Sequence, residues 1–220
     1  MGKTVIFCDF DGTITESDNI ISLMKEFAPP EWEAIKDGIL SRDISIQEGV
    51  AKLFALIPSS RKEELLDFLQ ETVSFREGFK EFISYTKAQH IPLYIVSGGM
   101  DFFVYPLLEE YGPFDGIYCN ETNFEGDAIK VNWPHPCDEE CENRGCGCCK
   151  PSIIRSMNLS SDQDIVVIGD SVTDVEMTRY ANMVIARDYL SEKCRQDSIP
   201  HETFETFYDC ITILKKGGSE

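Results

Sequence analysis

Four runs of apolar residues stop abruptly along this chain, and what they stop at is more telling than the runs themselves. Val5–Cys8 ends in Asp9 and Asp11, Ile91–Val96 in Ser97, Gly98 and Gly99, and Ile165–Ile168 in Gly169 and Asp170, with Asp174 just beyond. Met183–Ala186 is the fourth. Apolar runs without polar alternation predict strands buried on both faces, as at the centre of a parallel sheet. After Thr15 the apolar period turns helical and stays so for about sixty residues. Asp18–Phe27 is stopped by Pro29 and Pro30, and Glu31–Leu40 follows. Ser45 with Glu48 and Ser60 with Glu63 read as capping-box pairs opening two more helices, the first of them stopped by Pro58.

Four helices with no strand between them do not belong to an alternating βα layer. The pattern predicts an α/β fold, a Rossmann-like parallel sheet core flanked by helices, formed by residues 1–15 and 74–220, with a helical cap inserted over 16–73. Within the core the periodicity predicts helices at Glu77–Gln89, at Asp101–Tyr111 closed by Gly112, from Pro151 onward, and at Glu202–Leu214. A short hairpin is predicted from Gly116–Asn120 and Ala128–Val131 across NFEGD, followed by a cysteine-rich loop to about residue 149.

The strand ends then acquire chemical meaning. Side chains alternate along an extended backbone, so Asp9 and Asp11 share a face and both can point into the crevice beyond the carboxyl edge of the sheet, where open α/β sheets bind ligands. Two like charges that close raise a pKa unless a cation or proton lies between them. The bland reading of DFDG is a polar turn after a strand. Ser97, Gly98 and Gly99 allow close backbone approach to an anion, against the bland reading of a glycine-rich turn.

Charge narrows the partners. With 20 basic and 39 acidic residues the net charge is -19, which argues against nucleic acid or an anionic membrane surface as partner. The same field repels an anionic substrate, so a small phosphorylated metabolite would need a cation or a local lysine at the site. MGKTVIF enters the first strand without the marks of a signal peptide, and Ile6 stands where myristoylation wants Ser or Thr. The GKT triplet lacks the upstream glycine of a phosphate loop. No apolar run reaches the ~18 residues of a membrane span. A cytoplasmic protein with reduced cysteines is the expectation, and its oligomeric state stays open, a homodimer included.

DFDGT, VSG, Lys150 and GDSVTD resemble, in order and over the whole chain, the four motifs of the haloacid dehalogenase superfamily of phosphohydrolases. A helical insertion directly after the first motif resembles the phosphoserine phosphatase-like branch. The cysteine-flanked lysine, CGCCK, is similar to the group containing an enol-phosphate phosphatase of methionine salvage. The resemblance implies a Mg²⁺-dependent phosphomonoester hydrolase acting through an aspartyl-phosphate on Asp9, with Asp11 as proton donor and then acceptor. It implies Mg²⁺ held by Asp9, the main-chain carbonyl of Asp11, and Asp170, with Asp174 bonding a metal water or Lys150 rather than ligating directly. Ser97 and the amide of Gly98 would hold the phosphate, Lys150 would add positive charge, and Thr13 would fix the loop. In phosphoserine phosphatases the cap supplies an acid and an arginine for the amino acid. Asp18 stands where the acid would be, but Ile44–Ser59 contains no arginine.

Three alternatives stay open. They are hydrolysis of another small phosphomonoester (phosphoserine-like or phosphocholine-like), phosphomutase chemistry, and a receiver-like phosphoacceptor module. Receivers, however, carry their acid pair and their phosphorylated aspartate on different strands.

HPCDEECENRGCGCCK gathers His135, Cys137, Cys141, Cys146, Cys148 and Cys149. These could hold a structural Zn²⁺, form a labile disulfide, or be packed thiols, and the spacings C-x3-C, C-x4-C, C-x-C and C-C carry only a weak finger signature. Cys8, Cys119, Cys194 and Cys210 read as core, and no role is assigned to His90 or His201. In the cap, Ile20, Met24, Phe27, Trp32, Leu53 and Phe54 hold the helices together, with one or two available to line an apolar pocket.

Overall fold

The computed structural model describes residues 4–217. The Gly2 and Lys3 of the GKT triplet, and residues 218–220 of the expected core, lie outside them. β1 (Val5–Cys8) sits mid-sheet between β2 (Leu93–Met100) and β5 (Ile165–Gly169), parallel to both. β3 (Gly116–Asn123), β6 (Met183–Ala186) and β7 (Glu202–Thr203) extend the parallel sheet outward, and β4 (Lys130–Asn132) pairs antiparallel at one edge. The order is β4-β3-β2-β1-β5-β6-β7. β1 is apolar throughout because both its faces are covered: Ile6 and Cys8 join one buried cluster and Val5 and Phe7 the other, the period-two alternation of a strand.

The helical stretch after β1 resolves into α1 (Asn19–Phe27), α2 (Trp32–Leu40), α3 (Ile46–Ala55) and α4 (Lys62–Thr72). Asp18 caps α1 and Ser45 caps α3, each side chain accepting a first-turn amide, which satisfies donors that no helical carbonyl can reach. The Ser60–Glu63 pair differs from expectation. A 3₁₀ turn at Ser59–Arg61 leads into α4 with no side-chain cap. These helices share one buried cluster with the sheet, Leu23, Met24, Leu53, Phe54, Leu65 and Leu69 lying in it beside Ile6, Phe79 and Phe103. α3 is tied down on both sides: at its start the Gln47 amide donates to the Gly145 carbonyl (2.9 Å), and just beyond its end the Ser59 amide donates to the Asp127 carbonyl (3.1 Å).

α5 (Phe79–Ala88), α6 (Asp101–Leu108), α7 (Lys150–Ser156), α8 (Asp188–Gln196) and α9 (Phe207–Gly217) complete the layers. Several boundaries move from the sequence reading. The helix expected over Glu202–Leu214 begins at Phe207, because Glu202 and Thr203 pair with β6 and the Asp209 carboxylate accepts from the amides of Glu205 and Thr206. The expected hairpin has a double role: Gly116–Tyr118 pairs with β2, and only Glu121–Asn123 pairs with β4. Gly112 is extended rather than left-handed, and a 3₁₀ turn at Glu109–Tyr111 ends α6. The four cysteines read as core, Cys8, Cys119, Cys194 and Cys210, are buried.

Phe207 locks α9 onto α5 through ring contacts with Phe79 and Phe82, and it also touches Phe204. It is fully buried. Truncating such a ring removes its transfer free energy and leaves a cavity, so Phe207→Ala is expected to cost about 3–5 kcal/mol. Urea unfolding with an unchanged m-value would read this as a stability loss; a loss under about 1 kcal/mol would mean that the aromatic cluster repacks.

Candidate active site

Three neighbouring strands, β1, β2 and β5, deliver their carboxyl ends to one place. Asp9 and Asp11 leave β1, Ser97 and Gly98 lie in the last residues of β2, and Asp170 follows β5. Lys150 is the first residue of α7, followed by Pro151. An ammonium at a helix N-terminus is opposed by the helix dipole, so something must offset that cost. Lys150 Nζ lies 2.6 Å from Asp9 Oδ1 and 2.6 Å from Asp174 Oδ1, with all three side chains at most 5% exposed.

Asp174 is fully spent. Its Oδ1 accepts from Lys150 and its Oδ2 from the Asp170 amide (3.1 Å), the Ser171 amide (2.9 Å) and the Ser171 hydroxyl (3.0 Å). It holds the lysine and closes the first turn after β5. Asp170 Oδ1 accepts from the Thr13 hydroxyl at 2.6 Å, which ties the third strand end to the first.

The electrostatics describe a deficit of positive charge. Burial pushes the Lys150 ammonium down, but the Asp174 and Asp9 carboxylates outweigh it and hold the group above its ordinary value. Burial and then Asp174 push Asp9 up despite Lys150, and the same two causes push Asp170 up to about 6. Three carboxylates share one ammonium. Oxygens of Asp9, Asp170 and Asp174 all lie within 4.8 Å of one another; with Asp174 committed to its donors, Asp9 and Asp170 are the carboxylates open to a hard divalent cation, which would supply the missing charge. The carboxylate of Asp11 does not belong to that group of oxygens.

Asp11 has a different setting. Its Oδ1 accepts from the Asn19 carboxamide (2.7 Å) and amide (3.2 Å), and its Oδ2 from the Ser97 hydroxyl (3.2 Å). Burial, then the charge of Asp18, push its pKa up to about 7 despite those bonds, so the carboxyl holds a proton to near neutrality. Asp18 is exposed and engaged as the α1 cap, near enough to be felt by Asp11. The Ser97 Oγ also accepts from the Gly99 amide (2.8 Å). A Cβ on Gly98 would meet nothing within 4 Å, whereas one on Gly99 would lie 2.7 Å from Asp11 Oδ2. Gly98 therefore faces open space beside packed acids, as an anion-receiving backbone must.

Gly12 shows how tightly the loop is built. Its φ is +81°, and a Cβ there would lie 2.4 Å from Asp170 Oδ2.

Three residues assigned no role in the sequence reading belong to this constellation. Arg76, just after the helical stretch, donates to the carbonyls of Thr13 (2.7 Å), Gly12 (2.7 Å) and Thr15 (3.3 Å) and so pins the loop that carries the acids. Asn19 and Asn120 are buried, each with its carboxamide oxygen unpartnered, while Asn120 Nδ2 donates to the Gly98 carbonyl (2.8 Å). Asn19 was the legible one: it is a polar residue on the buried face of α1 that also carries Leu23. The lone Arg76 gave no signal.

The cysteine loop corrects one expectation. Cys148 is not among the gathered thiols: its Sγ lies 3.9 Å from the Tyr118 carbonyl, and the residue packs with Val5, Phe7 and Val96. Cys137, Cys141, Cys146 and Cys149 do converge, and all nine cysteines are free thiols.

The family model described as haloacid dehalogenase-like hydrolase matches residues 6–179, a span containing every one of these strand ends. The chain belongs to the haloacid dehalogenase-like hydrolases, which sets aside the receiver-like reading. Among its relatives, the 2-hydroxy-3-keto-5-methylthiopentenyl-1-phosphate phosphatase of Geobacillus kaustophilus (strain HTA426) is 57% identical over 97% of this chain and 96% of its own length. That of Bacillus mycoides (strain KBAB4) is 53% identical over 96% of this chain and 95% of its own. Among solved structures, a substrate-bound phosphoserine phosphatase shares the fold with a TM-score of 0.69 at 19% identity, covering 97% of this chain and 98% of that one.

The raised Asp11 carboxyl has a consequence for metal-free protein. Its pKa of about 7 when folded exceeds the ordinary 3.8, so between those values the folded state binds the extra proton and stability falls as pH rises. Asp11→Asn removes that penalty. The variant is expected to be more stable than the parent by about 1–3 kcal/mol above pH ~7, the gain vanishing as pH approaches 4. Urea titrations in EDTA at several pH values would show it, and a gain independent of pH would contradict the assignment.

Proposed function

We propose that the chain is a Mg²⁺-dependent phosphatase that hydrolyses 2-hydroxy-3-keto-5-methylthiopentenyl-1-phosphate, the enol phosphate of methionine salvage. The observation that carries the reading is the convergence of Asp9, Asp11, Ser97 and Asp170 from three adjacent strand ends on Lys150 at the start of α7. The relatives' printed activity supports the substrate.

Asp9 is the nucleophile. Its Oδ1 is held by Lys150, leaving the second oxygen to attack phosphorus in line while the bond from phosphorus to the ester oxygen breaks. Asp11 gives its proton to that leaving oxygen, a role that needs a carboxyl still protonated near neutrality. The aspartyl-phosphate splits one hard hydrolysis into two easier steps. In the second step Asp11, now ionised, takes a proton from water. The water oxygen attacks phosphorus, the bond to Asp9 breaks, and inorganic phosphate leaves. Ser97 and the Gly98 amide hold the phosphate oxygens, and Lys150 neutralises charge on them. Asp9, the Asp11 carbonyl and Asp170 would hold Mg²⁺, which supplies charge neutralisation for the phosphoryl group when bound. Asp174 and Arg76 act through others, the first by aiming Lys150 and the second by fixing the Asp9–Thr15 loop.

Residues 16–73 serve as the cap over this crevice. The specificity follows from what the cap lacks. Its two arginines are otherwise placed: Arg42 is exposed, and Arg61 pairs with Glu64 (2.8 Å) and lies over the Phe27 ring. Neither is set up to clamp the carboxylate of an amino-acid phosphate, and a carboxylate without such a partner is costly to enclose. The apolar side chains of the cap, Ile20 and Phe27 among those only partly buried, suit a methylthio tail instead. A cytoplasmic setting agrees with nine unpaired cysteines and with the lack, among the described residues, of any helix long and apolar enough to cross a membrane.

Phosphate release measured with both substrates tests this. The expected kcat/KM ratio favours the enol phosphate over phosphoserine by ~100-fold or more; an equal or reversed ratio would place the chain with amino-acid phosphatases. In the same assay Asp9→Asn is expected to abolish turnover while leaving the fold intact, and appreciable turnover with deamidation excluded would remove the covalent step. Excess EDTA is expected to silence the parent enzyme, with Ca²⁺ restoring it poorly, because Ca²⁺ takes larger and looser coordination than Mg²⁺.

A further inference from the structure

The segment between β4 and α7, residues 133–149, has no regular secondary structure and little apolar material to bury. Structureless connections beyond about 12–15 residues are uncommon inside compact domains unless something functional or covalent organises them. This one is nevertheless folded tightly. The Cys149 amide donates to the His135 carbonyl (2.9 Å), the Cys141 amide to the Asp138 carbonyl (3.3 Å), and Arg155 of α7 holds Asp138 through its Nε (2.7 Å). Arg144, Gly145 and Gly147 adopt positive φ of 48°, 70° and 76°, turns that bend the chain back on itself.

Those turns bring four thiols to one point. The Sγ atoms of Cys137, Cys141, Cys146 and Cys149 all lie within 4.8 Å of one another, and the Cys141–Cys146 separation is 3.6 Å. Packed thiols in a loop have no reason to converge four at a time, and none of these pairs is at disulfide bonding distance. A tetrahedron of sulfurs about 2.3 Å from a central ion has edges of about 3.8 Å, the scale seen here. The spacing is C-x3-C-x4-C-x2-C, in which Cys146 and Cys149 form a C-x2-C knuckle whose intervening Cys148 turns into the core. The Ser152 hydroxyl donates to Cys149 Sγ (3.0 Å), the kind of outer bond that orients a thiolate ligand. Asp138, Glu139, Glu140 and Glu142 surround the loop with negative charge.

We propose that Cys137, Cys141, Cys146 and Cys149 bind one structural Zn²⁺. Four thiolates and no open position make it a closed site, with the soft ligands and geometry that select zinc over magnesium or calcium. Its place in the chain gives it a purpose. Cys149 immediately precedes Lys150, and the Gly145 carbonyl receives the Gln47 amide of α3, so the ion would staple together the loop that carries the active-site lysine and seats the inserted helices.

The test is metal analysis of the full-length protein, purified under reducing conditions without chelator. About one zinc per chain is expected, and Co²⁺ exchanged into the site should show the intense ligand-field spectrum of a tetrahedral thiolate complex. Cys141→Ser should weaken zinc binding by at least ~100-fold, and Cys148→Ser should keep the full complement. Should Cys141→Ser fail to fold, the parent protein decides: a strong chelator should release zinc and expose four thiols to a thiol reagent in step. Zinc far below one per chain, with no uptake of added Zn²⁺ or Co²⁺ by the reduced protein, would overturn the proposal. Iron in place of zinc, a disulfide among the four, or equal loss in Cys148→Ser and Cys141→Ser would do so too.

Discussion

A buried ammonium held between two carboxylates is the interaction on which the remaining geometry depends. Lys150 touches Asp9, just past the end of the strand at the middle of the sheet, and Asp174 beyond its neighbour β5. Removing the lysine would leave buried carboxylates uncompensated, a loss of about 3–5 kcal/mol. The arrangement therefore acts as a register pin as well as a source of charge. α7 cannot slide along the sheet without uncoupling Lys150 from both acids. Asp174, saturated with donors from Asp170 and Ser171, cannot turn elsewhere.

The pin also explains why an acidic protein can handle an acidic ligand. With a net charge of -19, the molecule as a whole repels phosphate esters, and long-range steering works against association. What compensates is local and short in range: one desolvated lysine and a set of oxygens suited to a divalent ion. Water is excluded from most of these groups, so each charge acts with little screening.

Much of this could be read from the chain, for a specific reason. The site is made at strand ends, and a strand buried on both faces announces its own end when the apolar run meets Asp9, Ser97 or Asp170. The helical insertion was legible because its period differs from that of the strands, and the Ser45 cap because a hydroxyl three residues before Glu48 has few other uses. What escaped were contacts without a local pattern. Arg76 bonds to three carbonyls far back along the chain, and no periodicity marks a side chain that serves distant backbone. β7 is two residues long and exposed, too short to alternate. α8 lacks a side-chain cap, so its start is unmarked. Cys148 could not be told from its neighbours by spacing, because whether a cysteine faces a loop or the core depends on the turns at Gly145 and Gly147. Asn19 was within reach, since a buried amide beside a leucine stripe asks for a partner.

The central position of β1 carries a consequence for how the chain is made. Val5–Cys8 leaves the ribosome well before its two partners, Leu93–Ile95 and Ile165–Ile168, are translated. Until then both its edges present unpaired amides and carbonyls flanked by apolar side chains, the kind of surface on which nascent chains associate wrongly. The sheet closes only after β5 emerges, through pairings between residues far apart in sequence, which form slowly. An early strand is thus among the last to be secured, and Asp9 and Asp11, which follow it, cannot meet Asp170 and Lys150 before β5 and α7 have been made.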